Sequence, residues 1–294
     1  MAESTITVTS AACHIPEIWN TETIDAVEGK VVLAGLVDRR FEKALKVGDT
    51  LHTAYIHNLT PVALAAGTNV TLENYTETSQ IITVSTHEHV CFGVDDMVKV
   101  QSQTNLRRKY TEKIGYGLGS SMDEVLAALA TSFSQSVGTL GLELTDDNLI
   151  RAWQYLEDFD MPQSDRFIYL KPAAYGGLMK LDKFMHADYV GGGGKGVREA
   201  FVGKLYGANV YTSTLCNSPS NGDCAGWFCH KSGVALIQQQ IKTRSDFVID
   251  RNADMVLGTN IFGVAEILIP PKTEPAGSTR APVDLANVYL KTIG

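Results

Sequence analysis

The stretch LRRKYTEKIGYGLGSSMDEVLAALATSFSQSV, residues 106–137, decides how this chain is built. Its apolar residues, Leu106, Tyr110, Ile114, Leu118, Met122, Val125, Leu126, Leu129, Phe133 and Val137, recur at helical steps and form one stripe. As a single helix the stretch would run roughly 48 Å at about 1.5 Å per residue, longer than most globular helices. Such a girder predicts that the other elements hang on it. Gly115, Gly117 and Gly119 interrupt it, each at a cost of about 1 kcal/mol relative to alanine in a helix interior. Three glycines so close together predict a bend or a close backbone approach, and with it a hinge. Arg107, Arg108, Lys109 and Lys113 crowd the N-terminal end, where the helix dipole favours anions. Acidic groups arriving from elsewhere would relieve that frustration.

Upstream, residues 49–92 read as β. Residues 51–56 and 82–92 form two strands, the second placing Ile82, Val84, Thr86, Glu88 and Val90 on one face and His87, His89 and Cys91 on the other. The polar residues 67–79 between them predict a long hairpin whose tip stands off the body. A two-stranded ribbon is only marginally stable in water, so it needs a partner surface, and a second copy of the chain supplies one. No Lys or Arg falls between Lys46 and Lys99, while Asp49, Glu73, Glu77 and Glu88 are acidic. The ribbon therefore suits a basic partner, which the start of the girder provides. Before it, Ile24, Val27, Val31, Leu36, Val37, Phe41 and Leu45 predict an amphipathic helix ended by Gly48.

Downstream, Thr145 caps a helix with Asp146 and Asp147 in its first turn. A buried strand at 166–170 and a helix opened by Pro172 follow, giving an α/β lobe. Strand-like pieces lie at 207–213, 233–239, 246–249, 254–257 and 263–269. Pro270-Pro271 ends the fold on this reading, and a polar tail completes the chain.

Composition excludes several classes. With 44% apolar and 20% charged residues the chain is a folded one. A net charge of −8 repels nucleic acid, so any DNA contact would be weak and without sequence specificity. No apolar run is long enough to span a membrane, and the first ten residues lack the pattern of a secretory signal. The five cysteines are then expected as free thiols in a reducing cytoplasm. The glycine run at 191–194 with Lys195 fails the phosphate-loop spacing, because Gly196 and Val197 follow where a hydroxyl is needed. Cys216, Cys224, Cys229 and His230 cluster, yet their gaps of seven and four residues miss the usual zinc knuckle. Cys224 or Cys229 with His230 lacks a third, orienting group for nucleophilic catalysis. His87 and His89, with His57 opposite, read as a polar ribbon face. No catalytic, cofactor or metal site emerges.

Taken in order, these elements resemble the major capsid protein of tailed bacteriophages, the Hong Kong phage-type capsid fold. The resemblance is carried by Ile15-Pro-Glu-Ile-Trp and Leu36-Val-Asp-Arg-Arg-Phe-Glu, similar to an N-terminal arm, and by Gly48-Asp-Thr, similar to the lead-in of an extended loop. Val94-Asp-Asp-Met and the girder resemble the approach to a spine helix, and Arg166-Phe-Ile-Tyr-Leu-Lys-Pro the strand-to-helix step of an axial domain. The resemblance implies an α+β fold with an N-terminal arm at 1–46 and an extended β-hairpin loop at 47–92. A peripheral domain with the spine helix would occupy 93–140, completed by strands around 243–260. An axial α/β domain would occupy 141–242, completed by 261–272, with a C-terminal tail at 273–294. It implies a non-enzymatic subunit whose pentamers and hexamers close an icosahedral shell around double-stranded DNA, located in the virion and assembled in the host cytoplasm. Partners would be further copies, a scaffolding protein, a portal protein and a cement or decoration protein. Glu73 and Glu77 against Arg107, Arg108, Lys109 and Lys113 are the interface candidates, and Gly115, Gly117 and Gly119 the hinge candidates. Two departures stand out. The loop has no lysine for the isopeptide cross-link of some members, and Met1 lies so close to the arm that a separate scaffolding protein is expected. The alternatives are an encapsulin-type nanocompartment shell and, from another class, a zinc-dependent enzyme built on the cysteine cluster.

Overall fold

A computed structural model describes residues 31–55, 61–70, 72, 78–95, 106–181, 203–219, 223–268 and 286–293. In chain order the elements are α1 (Leu33–Leu36), β1 (Thr50–Tyr55), β2 (Thr78–Thr83), β3 (Thr86–Asp95) and α2 (Leu106–Ala128). Next come β4 (Gln135–Gly138), α3 (Asp146–Asp158), β5 (Arg166–Leu170), α4 (Pro172–Met179), β6 (Lys204–Leu205) and β7 (Ala208–Thr212). The chain continues with β8 (Asp223–His230), β9 (Val234–Val248), β10 (Ala253–Glu266) and β11 (Asn287–Ile293). The strands form a β1–β2 ribbon, a three-stranded sheet in the order β3-β10-β9, and a six-stranded sheet in the order β4-β11-β8-β5-β7-β6.

The girder is α2, and it bridges the two larger sheets. Ile114 and Leu118 seat on the three-stranded sheet with Val256. Met122, Leu126 and Ala127 pack with Trp227, Tyr169 and Phe133 into the largest core. Each such side chain, fully buried, contributes about 1.5–3 kcal/mol. The helix is shorter than its stripe. It ends at Ala128, a tight 3₁₀ turn covers Leu129–Ser132, and Phe133 and Val137 leave the helix. The cause is tertiary: β4 pairs in parallel with β11, and Gly138 turns the chain at φ 88, where any side chain would collide with the Lys291 carbonyl. The three helix glycines do not break α2. The close approach is made from the other side, by Gly258 on β10, where a Cβ would strike Ile114.

Four further expectations change. The N-terminal helix does not run through to Gly48: α1 is a single turn, Val37 is extended, and Asp38 bridges to Ala235 at the start of β9. Asp123 on α2 sets where α1 begins. Fully buried, it accepts the Val32 and Leu33 N–H groups on Oδ2 at 2.6 and 3.0 Å and the Ala34 N–H on Oδ1 at 2.9 Å. The second predicted strand of the hairpin is two strands: β2 returns along β1, and after Val84 and Ser85 the chain crosses into the three-stranded sheet as β3. β3 thus leaves the 47–92 loop to pair with β10, and β4 joins the six-stranded sheet from within 93–140. Finally, the chain does not end in a polar tail. Residues 287–293 form β11, which lies between β4 and β8, with Ala286, Val288 and Leu290 buried.

Other local expectations hold. The Asn148 N–H donates to the Thr145 hydroxyl at 3.4 Å, β5 is buried throughout, and Pro172 opens α4. Arg166 is buried whole. It donates to the Pro162 carbonyl at 2.8 Å, to the Met161 carbonyl and to Glu157 at 2.8 Å, pinning the α3–β5 turn.

Candidate assembly surfaces

The ribbon is anchored at its base and bare further out. Ile82 is buried with Leu45, Ala235 and Ile237, and Leu51 and Phe41 close over them. Gln80 donates to the Glu266 carbonyl and accepts the Leu268 N–H at 3.1 Å. Gln239 donates to the Leu45 carbonyl at 3.3 Å and the Gly48 carbonyl at 2.5 Å. Beyond that base, residues 61–70 are all exposed, including Val62, Leu64 and Val70, and Leu72 is 92% exposed. Apolar side chains left in water along one continuous segment make it a candidate contact surface.

The acidic and basic candidates resolve unevenly. Glu73, Glu77 and His57 lie outside the described residues, as do Ile15 to Trp19 of the arm and the 191–194 glycine loop. Glu88 is not a ribbon charge: on β3 it faces α2 and accepts from the Ser121 hydroxyl at 2.8 Å. Arg107, Arg108 and Lys109 occupy the first turn of α2, which holds no acidic residue, and Lys113 follows one turn on and is exposed. A Cβ on Gly115 would meet nothing within 4 Å outside its own helix backbone. A Cβ on Gly117 or Gly119 would make only ordinary contact, 3.9 Å from Val90 and 3.7 Å from Val31.

A second bare surface went unnoticed in the sequence. The distal half of β9 is the bare edge of the three-stranded sheet, with Ile241 and Phe247 exposed, and the turn that follows exposes Ile249 before Asn252 turns the chain in the left-handed region at φ 44. The signal is the apolar residues spaced among charges over 241–251, although by sequence pattern the two strands break into four short pieces.

The chemistry-bearing clusters separate. His230 on β8 accepts the Ser232 N–H at 3.2 Å on Nδ1, which also meets the Ser232 hydroxyl at 2.7 Å, so this nitrogen is occupied. Burial lowers its pKa, and the neighbouring Arg166 adds to that. Cys216 and Cys224 contact each other through sulfur at 2.9 Å. His87, His89 and Cys91 lie on the exposed face of β3. Among the described residues no group of three or more His, Cys, Asp or Glu could hold a metal ion, and no helix is long and apolar enough to cross a membrane. Burial raises the phenols of Tyr169 and Tyr206 well above their ordinary range, the second helped by its hydrogen bond to Asp146.

An arrangement of this kind, with α2 packed on both larger sheets and a ribbon bare beyond its base, is matched over nearly its whole length by phage capsid structures. The structure matches one from Mycobacterium phage Che8 with a TM-score of 0.77 at 20% sequence identity, over 94% of this chain and 96% of that one. The capsid structure of the cyanophage P-SCSP1u matches with a TM-score of 0.76 at 13% identity, over 94% and 92% of the two chains. The acidic stable capsid structure of the Helicobacter pylori bacteriophage KHP30 matches with a TM-score of 0.73 at 11% identity, over 100% and 99%. Neither a family model nor a curated protein matches the sequence. The mixed α+β capsid fold that the sequence led us to expect is therefore the fold of this chain.

Proposed function

We propose that this chain is the major capsid protein of a tailed phage, a structural and non-catalytic subunit without a cofactor. Its copies associate as pentamers and hexamers and close an icosahedral shell around double-stranded DNA. The observation that carries the reading is the ribbon: bare beyond its base, within a fold shared end to end with phage capsid structures. Residues 61–72 lie on a neighbouring copy, and Glu73 and Glu77 meet Arg107, Arg108, Lys109 and Lys113 at the start of that copy's α2. Gly115, Gly117 and Gly119 let α2 bend when the assembled shell changes shape. A scaffolding protein guides assembly in the host cytoplasm, a portal protein takes one vertex, and a decoration protein binds the outer face. The acidic chain, net −8, holds the packaged DNA weakly and without sequence preference.

The test is electron microscopy of the purified full chain, expressed with and without a scaffolding protein. Closed shells of uniform diameter are expected with the scaffold. A monodisperse monomer under both conditions, at concentrations where shells form readily, overturns the reading.

A further inference from the structure

Cys216 and Cys224 meet inside the largest core, and the shell reading assigns them nothing. Cys216 follows β7 and Cys224 is the second residue of β8; their sulfurs are 5% and 0% exposed by residue and 2.9 Å apart. A covalent S–S bond is about 2.05 Å, so the pair stands about 0.85 Å from bonding distance. The backbone holds them there. The Ala225 N–H donates to the Asn217 carbonyl at 2.9 Å, and the Cys216 thiol lies 3.2 Å from the Ala225 carbonyl. Lys171, hydrogen-bonded to the Ser218 hydroxyl at 3.0 Å, adds a cation beside the pair. The hydrogen bond from Cys216 lowers the pKa of Cys224 against the effect of burial, and Lys171 favours the same thiolate, while that hydrogen bond and burial raise the pKa of Cys216; Cys224 is therefore the thiolate of the pair.

We propose that Cys216 and Cys224 are a modification site, oxidised by a small hydroperoxide such as hydrogen peroxide to an intrachain disulfide that staples the turn after β7 to β8. The thiolate attacks a peroxide oxygen, the O–O bond breaks, and hydroxide leaves, giving a sulfenic acid. The second sulfur attacks the sulfenic sulfur, the S–O bond breaks, and the S–S bond forms. Two thiols give up two electrons and two protons, and one hydrogen peroxide becomes two waters. With both residues buried, a small oxidant is favoured over a glutathione-sized disulfide.

The experiment treats the full chain with hydrogen peroxide, denatures it without reductant and alkylates it. Alkylatable cysteines are expected to fall from five to three, and to return to five with dithiothreitol. Cleavage before Asp223 and after Phe228 separates Cys216, Cys224 and Cys229, and the first two are expected as one linked pair. Cys229→Ser keeps the link and Cys216→Ser removes it. Five thiols still alkylatable, a link that includes Cys13, Cys91 or Cys229, or sulfinic acid as the product each overturns the proposal. Peptide mapping of the unmutated chain decides the matter even if a variant fails to fold. None of these readouts requires a shell, so failure here is distinct from failure of the capsid reading.

Discussion

Asp123 offers the sharpest test of how α2 organises the fold. Its carboxylate takes three backbone N–H groups at 2.6–3.0 Å, and it is fully buried. Asp123→Ala removes the charge and orphans all three donors. A buried hydrogen bond to a charged group is worth about 1.5–3 kcal/mol, and an unsatisfied buried donor costs about 1–3 kcal/mol. Val32 is only half-buried and can turn to water, so Leu33 and Ala34 carry most of the loss. We expect about 3–5 kcal/mol for Asp123→Ala. Asp123→Asn keeps one acceptor but sets an amide N–H₂ against a backbone donor, for about 2 kcal/mol. Leu33 and Val37 belong to the same core as Met122 and Leu126, so loosening α1 also uncovers that core. The assay is the guanidinium midpoint of the purified full chain, paired with hydrogen exchange of the amides at 32–34. If Asp123→Ala unfolds within about 0.5 kcal/mol of the unmutated chain and those amides exchange no faster, the capping account is wrong.

Truncation after residue 286 removes β11 from between β4 and β8, leaving two sheet edges unpaired; insoluble or protease-labile protein is expected, whereas a soluble chain with a native-like melt would show the strand to be dispensable. His230, its pKa lowered by burial, is neutral in the fold; stability is then complete above the unfolded histidine value of about 6.5 and declines as pH falls below it, because the unfolded chain takes the proton first. His230→Asn keeps an acceptor for the Ser232 N–H, so the denaturant midpoint should vary less between about pH 5 and 7 than in the unmutated chain; an equally steep profile assigns the dependence to other groups.

The sequence made the mixed class, the position of α2, the Thr145 cap, β5 and Pro172 legible, because each has a local cause: a period, a cap, an apolar run or a fixed φ. What stayed hidden has causes far away in the chain. β4 continues the helical stripe of α2 and becomes a strand only because β11 lies alongside it. β11, NVYLKTI, carries Lys and Thr and follows a polar stretch, so nothing local marks a buried strand between two others. Asp123 sits in the middle of a helix where a solvated acid is the ordinary expectation, and its three donors are about 90 residues away. The ribbon was legible as a projection, but its base depends on Gln80 and Gln239 meeting backbone groups that no pattern announces.

The helix glycines carry the last test, because they cost stability without a steric return. Gly115 has nothing within 4 Å of where a Cβ would stand, and at Gly117 and Gly119 the nearest atoms are at 3.9 and 3.7 Å, ordinary contact distances. Alanine fits at all three positions, and each replacement should stabilise the helix by about 0.5–1 kcal/mol, for roughly 2 kcal/mol together. A chain that keeps all three therefore forgoes stability in its central element, and a helix that must bend gives a physical reason. Ile114 and Leu118 rest on the three-stranded sheet while Met122 and Leu126 enter the other core, so a bend near 115–121 swings one sheet against the other. If the chain forms the shell proposed above and that shell expands, the triple alanine variant is expected to raise the denaturant midpoint and to assemble, yet to retain its initial particle diameter. Cryo-microscopy of both particles before and after expansion measures this. A stabilised variant that expands like the unmutated shell removes the hinge, and a variant with no gain in stability removes the premise that these glycines are free to change.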